Sequence, residues 1–204
     1  MGLMMLGMSA CSHADDILNG ETDTQNVLST KTKDIGKDEL FLAIEIGERL
    51  KVTLASKGPV AAGLAAPQIG ISRSVFIYSY DRTPEHLTLV INPTFEPIGD
   101  KVVEGWEACF SGMKPNGEKS VAKMQRFEVI RVTYMNEKGE MVKRVLDGFA
   151  AKVFQHEYDH LQGYVNIGHP KALEVKTFPN SESFEAFMTT VRAEDKRRYN
   201  KSES

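Results

Sequence analysis

Residues Asp147 to Gly163 read Asp-Gly-Phe-Ala-Ala-Lys-Val-Phe-Gln-His-Glu-Tyr-Asp-His-Leu-Gln-Gly. Asp147 can cap a helix that starts near Gly148, and Gly163 can end it after Gln162. Within that helix His156-Glu157-Tyr158-Asp159-His160 puts two imidazoles four residues apart, one above the other on one face, where both can reach a single metal ion. Glu157 lies one step around the helix and beside that ion. Val153 and Phe149, one and two turns earlier, place apolar side chains next to it. Two histidines leave a metal open and in need of a third protein ligand. His169, just before Pro170, is one candidate and Cys109 is the other. Against both stands the plain possibility of a chance histidine pair and a cysteine that is only a small buried hydrophobe.

Working outward, Lys37 to Lys57 carries Leu40, Ala43, Ile44, Ile46, Leu50 and Leu54 at helical spacing, stopped by Gly58-Pro59. Residues 11 to 36 are polar and read as an irregular arm. Ala61 to Gly70 reads as a loop of small residues. Ser74 to Tyr80 and Leu87 to Asn92 read as strands, and Gly99-Asp100 as a turn between two further short ones. Arg126 to Met135 alternates as one strand, and Asn136 to Gly139 turns it back into Glu140 to Leu146. Ser181 to Tyr199 is a final helix with Phe184, Phe187, Met188 and Val191 on one face; Phe178 joins them as core. Lys196-Arg197-Arg198 reads as its solvated end. The fold class is α+β: antiparallel strands packed around the His156–His160 helix, with an N-terminal and a C-terminal helix. The expected division is an irregular arm over 1–25, a catalytic domain over 26–170 and a helical extension over 171–204.

The chain of 204 residues has 41% hydrophobic and 26% charged residues, which excludes collagen, long disorder and a disulfide-dense miniprotein. Twenty-five basic against 28 acidic side chains leave a charge of −3, without the basic excess of a dedicated nucleic-acid binder. No apolar run is long enough for a membrane span. Two cysteines, Cys11 and Cys109, make no disulfide framework, so a cytoplasmic location is expected. Met8-Ser9-Ala10-Cys11 loosely resembles a lipoprotein cleavage site and is the alternative, although no Lys or Arg precedes Cys11.

Two further stretches carry chemistry. Glu104-Gly-Trp-Glu-Ala-Cys-Phe-Ser-Gly112 reads as a glycine-flanked loop that can bring a thiolate to a neighbouring helix. Gly63-Leu-Ala-Ala-Pro-Gln-Ile-Gly70 permits close backbone approach and offers Gln68 as an N–H donor after a rigid proline, or simply a tight connection with an exposed glutamine.

Taken in order, GLAAPQ, then EACFS, then QHEYDH, with 41 positions between Gln68 and Cys109 and 47 between Cys109 and His156, this sequence resembles the peptide deformylases. The resemblance covers Asn26 to Pro170. It implies a metalloenzyme that hydrolyses the N-formyl group from the initiator methionine of new polypeptides. Cys109, His156 and His160 would hold one divalent metal, Fe(II) in the cell, with Zn, Ni or Co in its place after purification. Glu157 would be the general base, and Gln68 with the Phe110 backbone N–H the oxyanion donors. Gly63 and Leu64 would pair with substrate as an added strand, and Phe149 and Val153 are placed to hold the methionine side chain. Glu107 or Asp159 would orient ligands or pair with Arg126. The partners implied are N-formyl-methionyl peptides emerging from the ribosome. Three positions depart from the family pattern: Ala61 and Ala108 stand where glycine is usual, and Phe110 where leucine is frequent. They motivate a second possibility, a non-catalytic relative that binds formylated or N-terminal peptides. A third is an HExxH endopeptidase that uses His169.

Overall fold

The computed structural model describes residues 13–58 and 61–199; the lipoprotein-like start at Met8–Cys11 lies outside them. In chain order the elements are α1 (Leu40–Ala55), β1 (Gly63–Ala65), β2 (Val75–Tyr78), β3 (Thr88–Pro97), β4 (Val102–Met113), β5 (Lys119–Phe127), β6 (Val129–Met135), β7 (Met141–Asp147), α2 (Gly148–Leu161), β8 (Ala172–Phe178) and α3 (Ser181–Tyr199). β1-β2-β3-β6-β7 form one antiparallel sheet and β4-β5-β8 a second. The α+β class is as expected. None of the described helices is long and apolar enough to cross a membrane.

The pleat of β2 sets the layers. Successive side chains of a strand point to opposite faces, and all four residues of Val75-Phe-Ile-Tyr78 are buried. Val75 and Ile77 pack with Ala43, Ile46, Leu50 and Leu54 of α1. Phe76 and Tyr78 pack with Ala151, Val153, Phe154 and Leu161 of α2. The larger sheet is thus sandwiched between two helices. α3 lies elsewhere, its Phe184, Met188 and Val191 against Val121 of β5 and the rings of Trp106, Phe178 and Phe187.

Several expectations change. The single strand Arg126–Met135 is two: the chain leaves one sheet at Phe127 and enters the other at Val129, with Glu128 N–H donating to Lys101 O between them. Alternation runs unbroken through that corner, so period alone cannot show it. Arg126 therefore closes β5 and does not open a hairpin. Glu104–Gly112 is not a loop but the body of β4, whose register with β5 is lost between Ala108 and Met113. Ala61–Gly70 is not all loop: it holds β1 and a 3-10 turn over Ala66–Ile69. The two strands around Gly99-Asp100 are long, at 10 and 12 residues. Residues after Pro170 are not purely helical, since β8 completes the second sheet beside β5. Asp147 occupies the cap position of α2 without a side-chain cap bond. Gly163 ends the helix as expected, at φ +84° and with a Cβ there only 2.9 Å from the Ser29 backbone. Arg198 is not merely solvated; it donates to Glu104 O at 2.6 Å.

The irregular arm is fastened to the body. Asp15 pairs with Arg49 at 2.7 Å, and Leu18 N–H donates to Gln68 O at 2.8 Å. The turn that carries Gln68 is thereby braced from behind.

Candidate active site

Helix α2 holds His156 and His160 with ring centroids 5.1 Å apart. Cys109 arrives from β4, in the other sheet, with Sγ 3.3 Å from His160 Nε2. One ligand atom from each of Cys109, His156 and His160 lies within 4.8 Å of the others, and no other such group of three occurs among the described residues. The sulfur is buried. Burial would raise its pKa, but the facing imidazoles of His160 and His156 outweigh that and hold it at about 5. A thiolate at neutral pH is what a metal needs from cysteine. His156 Nδ1 meets Glu107 Oε2 at 2.8 Å, which fixes the ring with its other nitrogen free to coordinate. One thiolate and two imidazoles, one of them oriented by a carboxylate, suit a divalent metal. His169, the alternative third ligand, is not in this group: its Nε2 stands 3.6 Å from Asp159 and its Nδ1 accepts the Lys171 N–H.

Behind the histidines runs an ionic chain. Arg126, 8% exposed, makes two bonds to Glu107, at 2.8 and 2.7 Å, and one to Asp159. Burial would raise the Glu107 carboxyl, but the guanidinium of Arg126 and the His156 ring hold it far below the usual range. Asp159 is lowered in the same way against its burial, by His169 and Arg126. Removing one member of a buried network strands the others. Arg126→Met is expected to cost about 3–5 kcal/mol of stability, read from the shift in denaturant midpoint. Gln155 locks the same region: it takes the Phe127 N–H on Oε1 at 3.0 Å and gives Nε2 to the Phe127 carbonyl at 2.9 Å. It stands in for a strand neighbour where β5 runs out and so ties α2 to the sheet corner.

Glu157 is 4% exposed. Its Oε2 has no hydrogen-bond partner among the described residues, and burial pushes its carboxyl up to about 7. The carboxylate lies against the backbone of β1: a Cβ on Gly63 would stand 2.5 Å from Oε1 and 2.8 Å from Cγ and Cδ. Gln68 is buried, not exposed. Its Oε1 accepts the Ala65 N–H at 2.9 Å, which leaves Nε2 to donate to Ser111 Oγ at 3.2 Å and Cys109 Sγ at 3.5 Å. Ser111 is a neighbour that sequence alone did not single out.

A cavity of about 270 Å³ opens on this group, with Gly63, Gln68, Cys109, Phe110, His156 and Glu157 on its wall. Phe149 and Val153 line it too. Leu64 does not: its side chain is fully buried beneath α1, so only its backbone faces outward chemistry. Two contributions were not legible from motifs, α3 with Met188, Val191 and Asp195, and Arg82 stacked 4.5 Å over the Phe149 ring. Ala108 is not among the residues with positive φ, so its methyl group brings no backbone strain. Nothing in the donor set favours a binding-only relative.

Residues 17–176 match the polypeptide deformylase family. Peptide deformylase 2 of Ralstonia nicotianae is 41% identical over 109 residues, 50% of this chain and 59% of that protein. The chain thus matches about three-fifths of this curated relative's length. The crystal structure of peptide deformylase from Thermotoga maritima superposes with a TM-score of 0.62 at 33% identity, covering 75% of this chain and 95% of that one. A class I type b peptide deformylase from Acinetobacter baumannii, crystallised with Met-Ala-Ser bound, gives 0.64 at 26% identity, over 76% and 98%.

Proposed function

The chain belongs to the polypeptide deformylase family, and on that premise we propose that it hydrolyses N-formyl groups from formyl-methionyl peptides. The observation that carries the proposal is the buried carboxylate of Glu157, whose Oε2 has no hydrogen-bond partner among the described residues, on the same helix turn as His156 and His160 of the Cys109, His156 and His160 group. Cys109, His156 and His160 would hold a divalent metal, which would supply Lewis acidity and lower the pKa of water toward about 7. We assign Fe(II) as the metal in the cell, with Zn, Ni or Co as substitutes. Glu157, with its carboxyl near neutrality, takes a proton from the attacking water and passes it to the departing amine. The C–N bond breaks, and formate and a free amino terminus leave. Charge grows on the formyl oxygen in the transition state. Gln68 Nε2, held by its own Oε1 bond to Ala65, and the Phe110 N–H are the donors assigned to it.

Among the described residues β1 pairs only with β2 and is an edge of its sheet. A substrate laid along Gly63 and Leu64 can add as a further strand, so that main-chain bonds supply affinity for many sequences. Phe149 and Val153 take the methionine side chain. The expected substrates are nascent chains leaving the ribosome in the cytoplasm. The bound Met-Ala-Ser of the Acinetobacter enzyme supports this substrate class.

The test is direct. Full-length protein purified without oxygen should carry one metal per chain and release formate from formyl-Met-Ala-Ser. A loaded protein that releases none overturns the proposal. Gly63→Ala should keep the metal but displace Glu157, and kcat should fall about 10²-fold, the scale of an ångström's misplacement; single-turnover assays beside metal analysis check it.

A further inference from the structure

The pocket contains a charge pair that the proposed chemistry does not use. Lys152 lies one helical turn before His156 on α2 and lines the same cavity. It is 8% exposed, and its Nζ donates to Asp195 Oδ2 of α3 at 2.9 Å and to the Trp106 carbonyl of β4 at 3.1 Å. Asp195 is 9% exposed. Three elements therefore meet at one ammonium group. Beyond this pair α3 is held by Trp106 against Phe187 at 5.3 Å and by Tyr199 near Phe149 at 6.3 Å. Gly105 leaves room for the ammonium, since a Cβ there would stand 3.2 Å from Nζ. The rise of one turn sets Lys152 about 6 Å along the helix from His156, a span that an unbranched side chain can fill. A pocket that ends on a desolvated ion pair resists any apolar group pushed past it, because separating the two partners leaves each with less compensation, although Asp195 also faces Arg82 and Lys152 the Trp106 carbonyl.

Resting on the deformylase proposal, we propose that α3 is a wall of the substrate's side-chain pocket and that the Lys152–Asp195 pair is its positioning clamp, setting the pocket depth that selects methionine over shorter or bulkier side chains. The apolar faces of Met188 and Val191 meet the side chain, and the clamp fixes how near they stand to Phe149 and Val153. Neither Lys152 nor Asp195 touches the reacting atoms.

Trp106, the one tryptophan of the chain, lines the pocket and reports on binding without turnover. The probes are Met-Ala-Ser, Ala-Ala-Ser and Phe-Ala-Ser, followed by Trp106 fluorescence, and their formylated forms, followed by formate release. Asp195→Ala should raise KM for formyl-Met-Ala-Ser about tenfold, with kcat and metal content held within about twofold. The preference for Met over Ala should shrink about tenfold in both binding and turnover. Asp195→Glu should restore most of both. Lys152→Met/Asp195→Leu removes both charges, should keep the fold, and should accept the Phe peptides about tenfold better than wild type does. An unchanged Met-to-Ala ratio in Asp195→Ala and the double variant, with formate still released by wild type, overturns the clamp and leaves the deformylase proposal standing. So does a fall in kcat together with loss of metal, which marks a merely structural pair. Should loaded wild type bind Met-Ala-Ser without releasing formate, a selective loss of Met affinity in Asp195→Ala still supports the clamp and overturns only the chemistry. Absence of both binding and release in wild type overturns both.

Discussion

Glu157→Gln is expected to keep the metal and lose catalysis by about 10²–10⁴-fold, the usual contribution of a positioned proton carrier. The substitution is nearly isosteric, so the contact with the Gly63 backbone survives. What disappears is the ability to accept and return a proton. The native carboxylate is suited to that work because it is 4% exposed, its Oε2 has no partner among the described residues, and burial brings its carboxyl to about 7. Metal analysis of the variant should match wild type while single-turnover formate release collapses. Turnover within tenfold of wild type would remove Glu157 from the proton path.

The second large effect is expected from Cys109→Ser. The thiol is held down at about 5 against its own burial by His160 and His156, so it stands ionised beside the two imidazoles. A serine hydroxyl stays protonated at neutral pH and binds a borderline-soft metal poorly. Metal per chain should drop from one to a small fraction after dialysis against a weak chelator, and activity should drop with it. Because Cys109 comes from the three-stranded sheet and the histidines from a helix packed on the five-stranded one, the bound ion would join the two layers. Loading with metal should therefore raise the thermal midpoint of wild type and leave that of the variant unmoved. Full metal retention by the variant would exclude Cys109 from the ligand set.

Much of this was legible in the sequence. Helices α2 and α3 follow from apolar spacing and end signals, and α3 lies at the expected residues, Ser181–Tyr199. The approach of Cys109 to His160 was implied by family resemblance rather than by spacing, since contacts between distant segments leave no local pattern. Loop-like composition misled at Ala61–Gly70 and Glu104–Gly112: small residues there serve close packing inside strands, as the Glu157 carboxylate against Gly63 shows. The corner at Glu128 was invisible because alternation continues while the sheet changes. Gln155, Ser111 and the Lys152–Asp195 pair act through tertiary partners that only folding supplies.

β2 is enclosed by α1 on one side and α2 on the other, while its neighbour β1 keeps one edge outward. Amide protons of Val75–Tyr78 are thus expected to be among the slowest of the chain to exchange with solvent. A peptide docked along Gly63 as proposed would meet a rail already rigid from behind, so little of its binding energy would be spent on ordering the protein that receives it.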